Sequence, residues 1–165
     1  MLLFDLCEVL EYNGYMMEFD KLKTKMLKYI VFKKRTESEI RQKFADVDEN
    51  LLEELIEHLK ELEYIDDNKY IDKSVREFMR LKNLSMKELK YKLMNKGLKG
   101  SLIQNYIDEN KEELLEYEEQ SARNIIRKKI KTDSKEEVQA VVEHLRKKGY
   151  NFEIVKEAIR GVEFE

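Results

Sequence analysis

SMKELKYKLMNKGL, residues 85–98, packs a helix start, an apolar face and a helix stop into one short run. Ser85 and Glu88 have the Ser/Thr-x-x-Glu spacing of a capping box. In such a box the hydroxyl takes the N–H of the third helical residue and the glutamate reaches back to the cap's own N–H. Leu89 and Leu93 follow on one side of the helix,. Gly97 suits the left-handed conformation that closes it. The same signature recurs as TESE at 36–39 and SKEE at 134–137. The three caps, Thr36, Ser85 and Ser134, lie 49 residues apart each time (85 − 36 and 134 − 85). Ile40, Leu89 and Val138 stand four residues after each cap; Phe44, Leu93 and Val142 stand eight after. Phe32, Leu81 and Ile130 stand four before, and Lys33, Lys82 and Lys131 three before. One capping box is a weak signal, but three in register point to a tandem repeat.

Each repeat reads as three helices. A basic amphipathic helix precedes each cap (about 21–34, 68–82 and 112–131), a short helix follows it, and a third closes the unit,. The apolar stripes of the third helices are Leu51, Leu52, Leu55, Ile56, Leu59 and Leu62, then Leu102, Ile103, Tyr106 and Ile107, then Phe152, Ile154, Val155, Ala158 and Ile159. KKGY gives the third unit the same glycine stop, at Gly149, whereas FADVDEN gives the first unit none. The expected fold is all-α: an elongated tandem array of three three-helix repeats at 21–66, 67–111 and 112–165. Residues 1–20 are a short N-terminal add-on. Its Asn13-Gly14 pair suits a tight hairpin turn, and LLxxLCxVL reads equally well as a helix.

Bulk properties agree. The 165 residues include no proline and five glycines, 41% are charged and 42% hydrophobic, which suits amphipathic helices with thin cores,. A single cysteine, Cys7, excludes an internal disulfide and fits a reducing, cytoplasmic compartment,. No apolar run approaches the roughly 18 residues that span a bilayer. The opening MLLFDLCEVL, interrupted by Asp5 and Glu8, is not read as a signal peptide,.

Catalytic chemistry is hard to find. His58 and His144 lack the partner one helical turn away that a metal helix needs,. KGLKG lacks the spacing of a phosphate loop,. The acidic run DENKEELLEYEE reads as a solvated face. EYIDDNKYID, residues 63–72, carries Asp66 and Asp67 ahead of a helix, where a carboxylate caps free N–H groups, and no calcium-loop pattern follows,. The expectation is a protein that is not an enzyme, with neither metal nor cofactor.

Basic blocks remain. The net charge of −3 hides alternation: residues 21–44 hold nine bases and two acids, 45–68 one base and ten acids, and 69–100 ten bases and three acids. Cations near helix C-termini complement the helix dipole, but their repetition suggests a stripe offered to a polyanion or an acidic protein surface. Its residues are Lys33, Lys34, Arg35, Arg41 and Lys43; Arg76, Arg80, Lys82, Lys87, Lys90 and Lys92; and Arg123, Arg127, Lys128 and Lys129.

The run LKELEYIDDNKYIDKSVREFMRLKNLSMKELKYKLMNKGL resembles the centre of RecX regulatory proteins, modulators of the RecA recombinase. The resemblance rests on Leu59, Leu62, Tyr64, Ile65, Asp66, Asp67, Tyr70, Arg76, Ser85, Leu89, Leu93, Lys96, Gly97 and Leu98. KKRTESEIRQKF and HLRKKGYNFEIVKEAI are similar to the family's flanking stretches, and the resemblance runs from about residue 25 to 160. It implies a curved array lying in the helical groove of a RecA–DNA filament. There it would inhibit ATP hydrolysis, strand exchange and co-protease activity, and so modulate recombination, DNA repair and the SOS response. The implied partners are the RecA filament and, weakly or through RecA, single- and double-stranded DNA, with no membrane partner and the chain acting as a monomer. Two other readings stay open. One is a helical nucleic-acid-binding protein acting without RecA; the other is a repeat scaffold for a different acidic protein.

Overall fold

The computed structural model describes residues 2–130 and 134–160. Among these, nine α-helices and no strand are found: α1 (Leu2–Phe32), α2 (Glu37–Lys43), α3 (Glu49–Glu61), α4 (Asp67–Leu81), α5 (Met86–Met94), α6 (Gly100–Glu109), α7 (Lys111–Lys129), α8 (Lys135–Lys148) and α9 (Phe152–Arg160). The chain divides into two compact units, Met1–Tyr70 and Ile71–Glu165, with the boundary inside α4. Lys131 lies outside the described residues.

Of the two forms open to the N-terminal add-on, residues 2–20 adopt the helix, and α1 runs through Asn13 and Gly14 without a break. A hairpin turn needs two strands to join, and local Asn-Gly chemistry cannot supply their pairing. Residues 12–18 are exposed, and the core-facing stripe begins at Phe19 and continues with Met26 and Ile30. Those residues meet Ile40 of α2 and Leu51, Leu52, Leu55, Ile56 and Leu59 of α3 in one apolar cluster closed by Ile65. Fully burying one such aliphatic side chain is worth about 1.5–3 kcal/mol relative to leaving it exposed. Leu62, expected in the same stripe, is half exposed because the helix has already ended and it serves as the C-cap. Farther up α1, the Tyr15 hydroxyl donates to Glu54 of α3.

In the second unit, α7 packs against α6, α8 and α9, and α5 against α6. Ala122, Ile126, Ile130, Val141, Leu145, Tyr150, Val155 and Ala158 form its apolar cluster. Phe152, expected in the α9 stripe, is exposed: it is the first residue of the helix, where the chain has not yet turned its face inward.

All three sequence caps start helices. Thr36 Oγ1 accepts the Glu39 N–H at 3.1 Å, and Glu39 accepts the Thr36 N–H at 3.2 Å. Ser85 and Glu88 repeat both bonds at 3.1 Å, and Ser134 Oγ accepts the Glu137 N–H at 3.2 Å. Thr36 and Ser85 are fully buried, so each cap is also a packing element. Ser85 Oγ additionally donates to the Lys148 carbonyl at 2.6 Å, which ties the end of α8 to the start of α5. Gly97 and Gly149 both take positive φ, 73° and 88°, as the sequence requires of helix stops,.

The acidic pair in EYIDDNKYID divides its labour. Asp66 Oδ1 accepts the Lys69 N–H at 2.9 Å and caps α4. Asp67 turns to a different helix and accepts the Glu37 N–H at the start of α2, at 3.0 Å. A carboxylate does the same for α5, where Glu118 Oε1 accepts the Met86 N–H at 2.9 Å. Sequence reasoning placed Glu118 on a solvated face, yet it is 2% exposed. Beside it, the Tyr117 hydroxyl donates to the Lys82 carbonyl and accepts from the Leu84 N–H, fixing the loop before the Ser85 cap.

Candidate functional site

The cations of the expected stripe fall into two groups. One group is held by partners inside its own unit. Arg35 stacks over the Tyr29 ring, 4.4 Å from its centroid, and lies 3.9 Å from the Glu39 carboxylate. Arg41 bonds Glu37 at 2.7 Å and takes both oxygens of Glu53 at 2.7 and 3.0 Å. Lys60 also reaches Glu37, at 2.9 Å. Partial burial pushes the Glu37 carboxyl up, but the hydrogen bonds from Lys60 and Arg41 outweigh it and hold the group below the usual carboxylate range. Arg76 pairs with Asp72 at 2.9 Å. The same carboxylate accepts the Tyr106 hydroxyl at 3.2 Å, and burial together with Asp72 pushes that phenol up to about 12. Arg123 pairs with Glu119 on the preceding turn of α7.

The second group faces solvent: Lys33, Lys34, Lys43, Arg80, Lys82, Lys87, Arg127, Lys128 and Lys129 are exposed. Lys90 and Lys92 are half-buried. Most of the exposed cations sit at or just beyond the C-terminal ends of α1, α4 and α7, where the helix dipole favours positive charge,. Two of these ends also present an exposed apolar side chain: Phe32, 90% exposed beside Lys33, and Leu81, 57% exposed beside Lys82. The corresponding Ile130 is buried in the α7–α9 cluster.

One juxtaposition was missed in the sequence. Lys147 and Lys148, read only as part of a helix stop, come to α5 and line an open groove of about 750 Å³ with Met86, Lys87, Glu88, Lys90, Tyr91 and Met94. The α5 signal was present. Leu89 and Leu93 form its core face, and Met86, Lys87, Lys90, Tyr91 and Met94 fall on another face that mixes apolar and basic residues,. Lys87 lies so close to the α8 stop that a Cβ on Gly149 would stand 2.8 Å from the Lys87 Cβ.

Among the described residues, no group of three or more His, Cys, Asp or Glu side chains is placed to hold a metal ion. The described helices include none long and apolar enough to cross a membrane. Fold and surface together define an all-helical protein with buried, side-chain-capped helix starts and solvent-facing cations at successive helix ends.

No family model matches the chain. It is 30% identical over 142 residues to the regulatory protein RecX of Staphylococcus carnosus, covering 84% of this chain and 53% of that protein. To the regulatory protein RecX of Clostridioides difficile it is 27% identical over 141 residues, covering 84% and 66%. The chain thus spans between about half and two thirds of the length of these relatives. The crystal structure of RecX from Lactobacillus salivarius has the same fold, with a TM-score of 0.74 and 21% identity over 88% of this chain and 96% of that one. A second crystal structure of a regulatory protein RecX gives a TM-score of 0.75 at 22% identity, covering 90% and 76%. In sequence the chain is thus similar to RecX regulatory proteins, and it shares their fold.

Proposed function

We propose that this protein binds a RecA–DNA filament along its helical groove and inhibits ATP hydrolysis, strand exchange and co-protease activity. It acts as a non-enzymatic monomer in the cytoplasm and meets DNA weakly or through RecA. The observation that carries the reading is the recurrence, 49 residues apart, of a side-chain cap preceded by a helix end rich in solvent-facing cations. A filament is itself periodic, so a repeated chain can offer each repeat to a like surface. Three three-helix repeats at 21–66, 67–111 and 112–165 follow from the same caps. Exposed Phe32 and Leu81 suit a protein surface better than a bare phosphate backbone, and RecA filaments present both,.

The test is single-strand-dependent ATP hydrolysis by the cognate RecA, titrated with this protein at moderate salt. Inhibition is expected well below one protein per RecA. Charge reversal at Lys33, Lys34, Arg80, Lys82, Arg127 and Lys128 together should abolish it. A folded protein that leaves hydrolysis by active RecA unchanged overturns the reading. Tight binding to bare single-stranded DNA, weakening with salt at a slope of about −0.7 per neutralised phosphate, would favour nucleic-acid binding without RecA.

A further inference from the structure

The groove between α5 and the C-terminal turn of α8 combines apolar and basic side chains from two helices. Its floor is apolar: Met86, Tyr91 and Met94, the last two 65% and 58% exposed. Its rim is basic, with Lys87 and Lys90 from α5 and Lys147 and Lys148 from α8. The one carboxylate present, Glu88, already pairs with Lys148 at 3.2 Å. Among the described residues, Lys87, Lys90 and Lys147 have no carboxylate partner, and Lys90 donates instead to the neutral Gln104 at 3.0 Å. Three ammonium groups therefore surround an apolar floor without compensation. The His144 imidazole on α8 reports the same positive surroundings, being pushed down by burial and then by Lys129 and Lys148.

Such a site selects its occupant by two features at once. The lysines call for carboxylates or phosphates, and the floor calls for an apolar side chain to displace water from Tyr91 and the two methionines. Methionine side chains adapt to the shape of what they cover. A nucleic acid strand meets the first demand, but it offers the methionines only its bases and lays phosphate across an apolar surface. A protein segment with an apolar residue flanked by Asp or Glu meets both demands. The groove is also firmly built. Ser85 ties the Lys148 carbonyl to α5, Glu88 pairs with the Lys148 ammonium, and Gly149 lets the two elements approach.

We infer that the α5–α8 groove is a docking site for an acidic protein segment that inserts one apolar side chain between Met86, Tyr91 and Met94. The inference does not rest on the filament reading, and its test contains no recombinase.

The experiment is fluorescence anisotropy with three labelled probes. The first is a peptide of alternating Glu and Asp with one central Phe, the second the same peptide with Gly for Phe, and the third oligothymidine. The Phe peptide should bind the intact protein more tightly than the Gly peptide and more tightly than oligothymidine at moderate salt. Lys87→Met with Lys147→Met keeps the side-chain stems and removes two charges. It should weaken the Phe peptide about tenfold, a loss of about 1.4 kcal/mol. Tyr91→Ala with Met94→Ala should weaken the Phe peptide and leave the Gly peptide unchanged. All four positions are exposed, and a thermal melt confirms that each variant is folded. No binding of the Phe peptide overturns the inference, as does binding that both double variants leave intact. Preferential binding of oligothymidine, lost in the same variants, assigns the groove to nucleic acid and overturns it as well.

Discussion

The starts of α2 and α5 are built to one plan from different residues. Each has a buried hydroxyl cap, a glutamate closing the box, and a carboxylate from elsewhere in the chain on the first helical N–H. They differ in what surrounds that third group. Asp67 lies in a polar neighbourhood with Glu37, Lys60 and Asp66 close enough to act on its charge. Glu118 is almost wholly buried, and the Met86 N–H favours its ionised form. Burial pushes both carboxyls above their ordinary values, and in both the backbone N–H only partly offsets it. The same capping geometry can thus be reached in a wet setting or a dry one, and the dry one carries the larger electrostatic cost.

The helix stops make a second contrast. Gly149 closes α8 at φ +88°, whereas α3 is closed by Glu63 at φ 58° without a glycine. The largest effect is expected at the tight end. Gly149→Ala adds a Cβ at a positive φ within 2.8 Å of the Lys87 Cβ and should cost about 2–3 kcal/mol in urea denaturation,. Ser85→Ala removes the acceptor of the Glu88 N–H and the donor to the Lys148 carbonyl, both part-buried, for about 2 kcal/mol,.

Next comes the pair of carboxylates. Glu118→Ala strands the Met86 N–H and should cost about 1–2 kcal/mol,. Glu118→Gln keeps an acceptor and removes the charge, so its outcome depends on pH. The Glu118 carboxyl is raised in the folded protein, so the folded state holds the proton longer than the unfolded chain. Stability is then lost as pH rises from the unfolded value, about 4.3, through the folded one,. Urea midpoints measured from pH 4 to 7 should therefore shift in favour of the Gln variant as pH rises. Glu37→Gln should do the reverse, and at lower pH, below about 4.3. The Glu37 carboxyl is lowered, so its contribution is present above the unfolded value and disappears as pH falls through the folded one,. Equal pH slopes for the two variants would break the comparison. The smallest effect is Glu63→Gly, which should stabilise the first unit by about 0.5–1 kcal/mol by relieving a left-handed backbone that glycine adopts freely,.

Legibility followed the range of the interactions. The hydroxyl caps at Thr36, Ser85 and Ser134 and the glycine stops at Gly97 and Gly149 were readable, because each is set by residues within one helical turn. The apolar stripe of α3 was readable for the same reason, save at Leu62, where the helix ended first. The reading of Asp67 or Asp66 as the cap of the following helix is met by Asp66, whereas Asp67 serves the start of α2, which was not written locally. Of the cations, the sequence showed where positive charge recurs but not that Arg35, Arg41, Arg76 and Arg123 have partners within their own units.

By itself the sequence determined the helical class, the positions of the caps and the periodic placement of lysine and arginine, since these depend on neighbours a few residues away. Only the tertiary structure decided that residues 2–20 continue α1, that Glu118 is buried beneath α5, and that Lys147 and Lys148 close a groove over Met86, Tyr91 and Met94. Those outcomes depend on contacts between residues roughly 30 to 60 positions apart or on the absence of a strand partner, and no local pattern in the chain encodes which distant surface will arrive,.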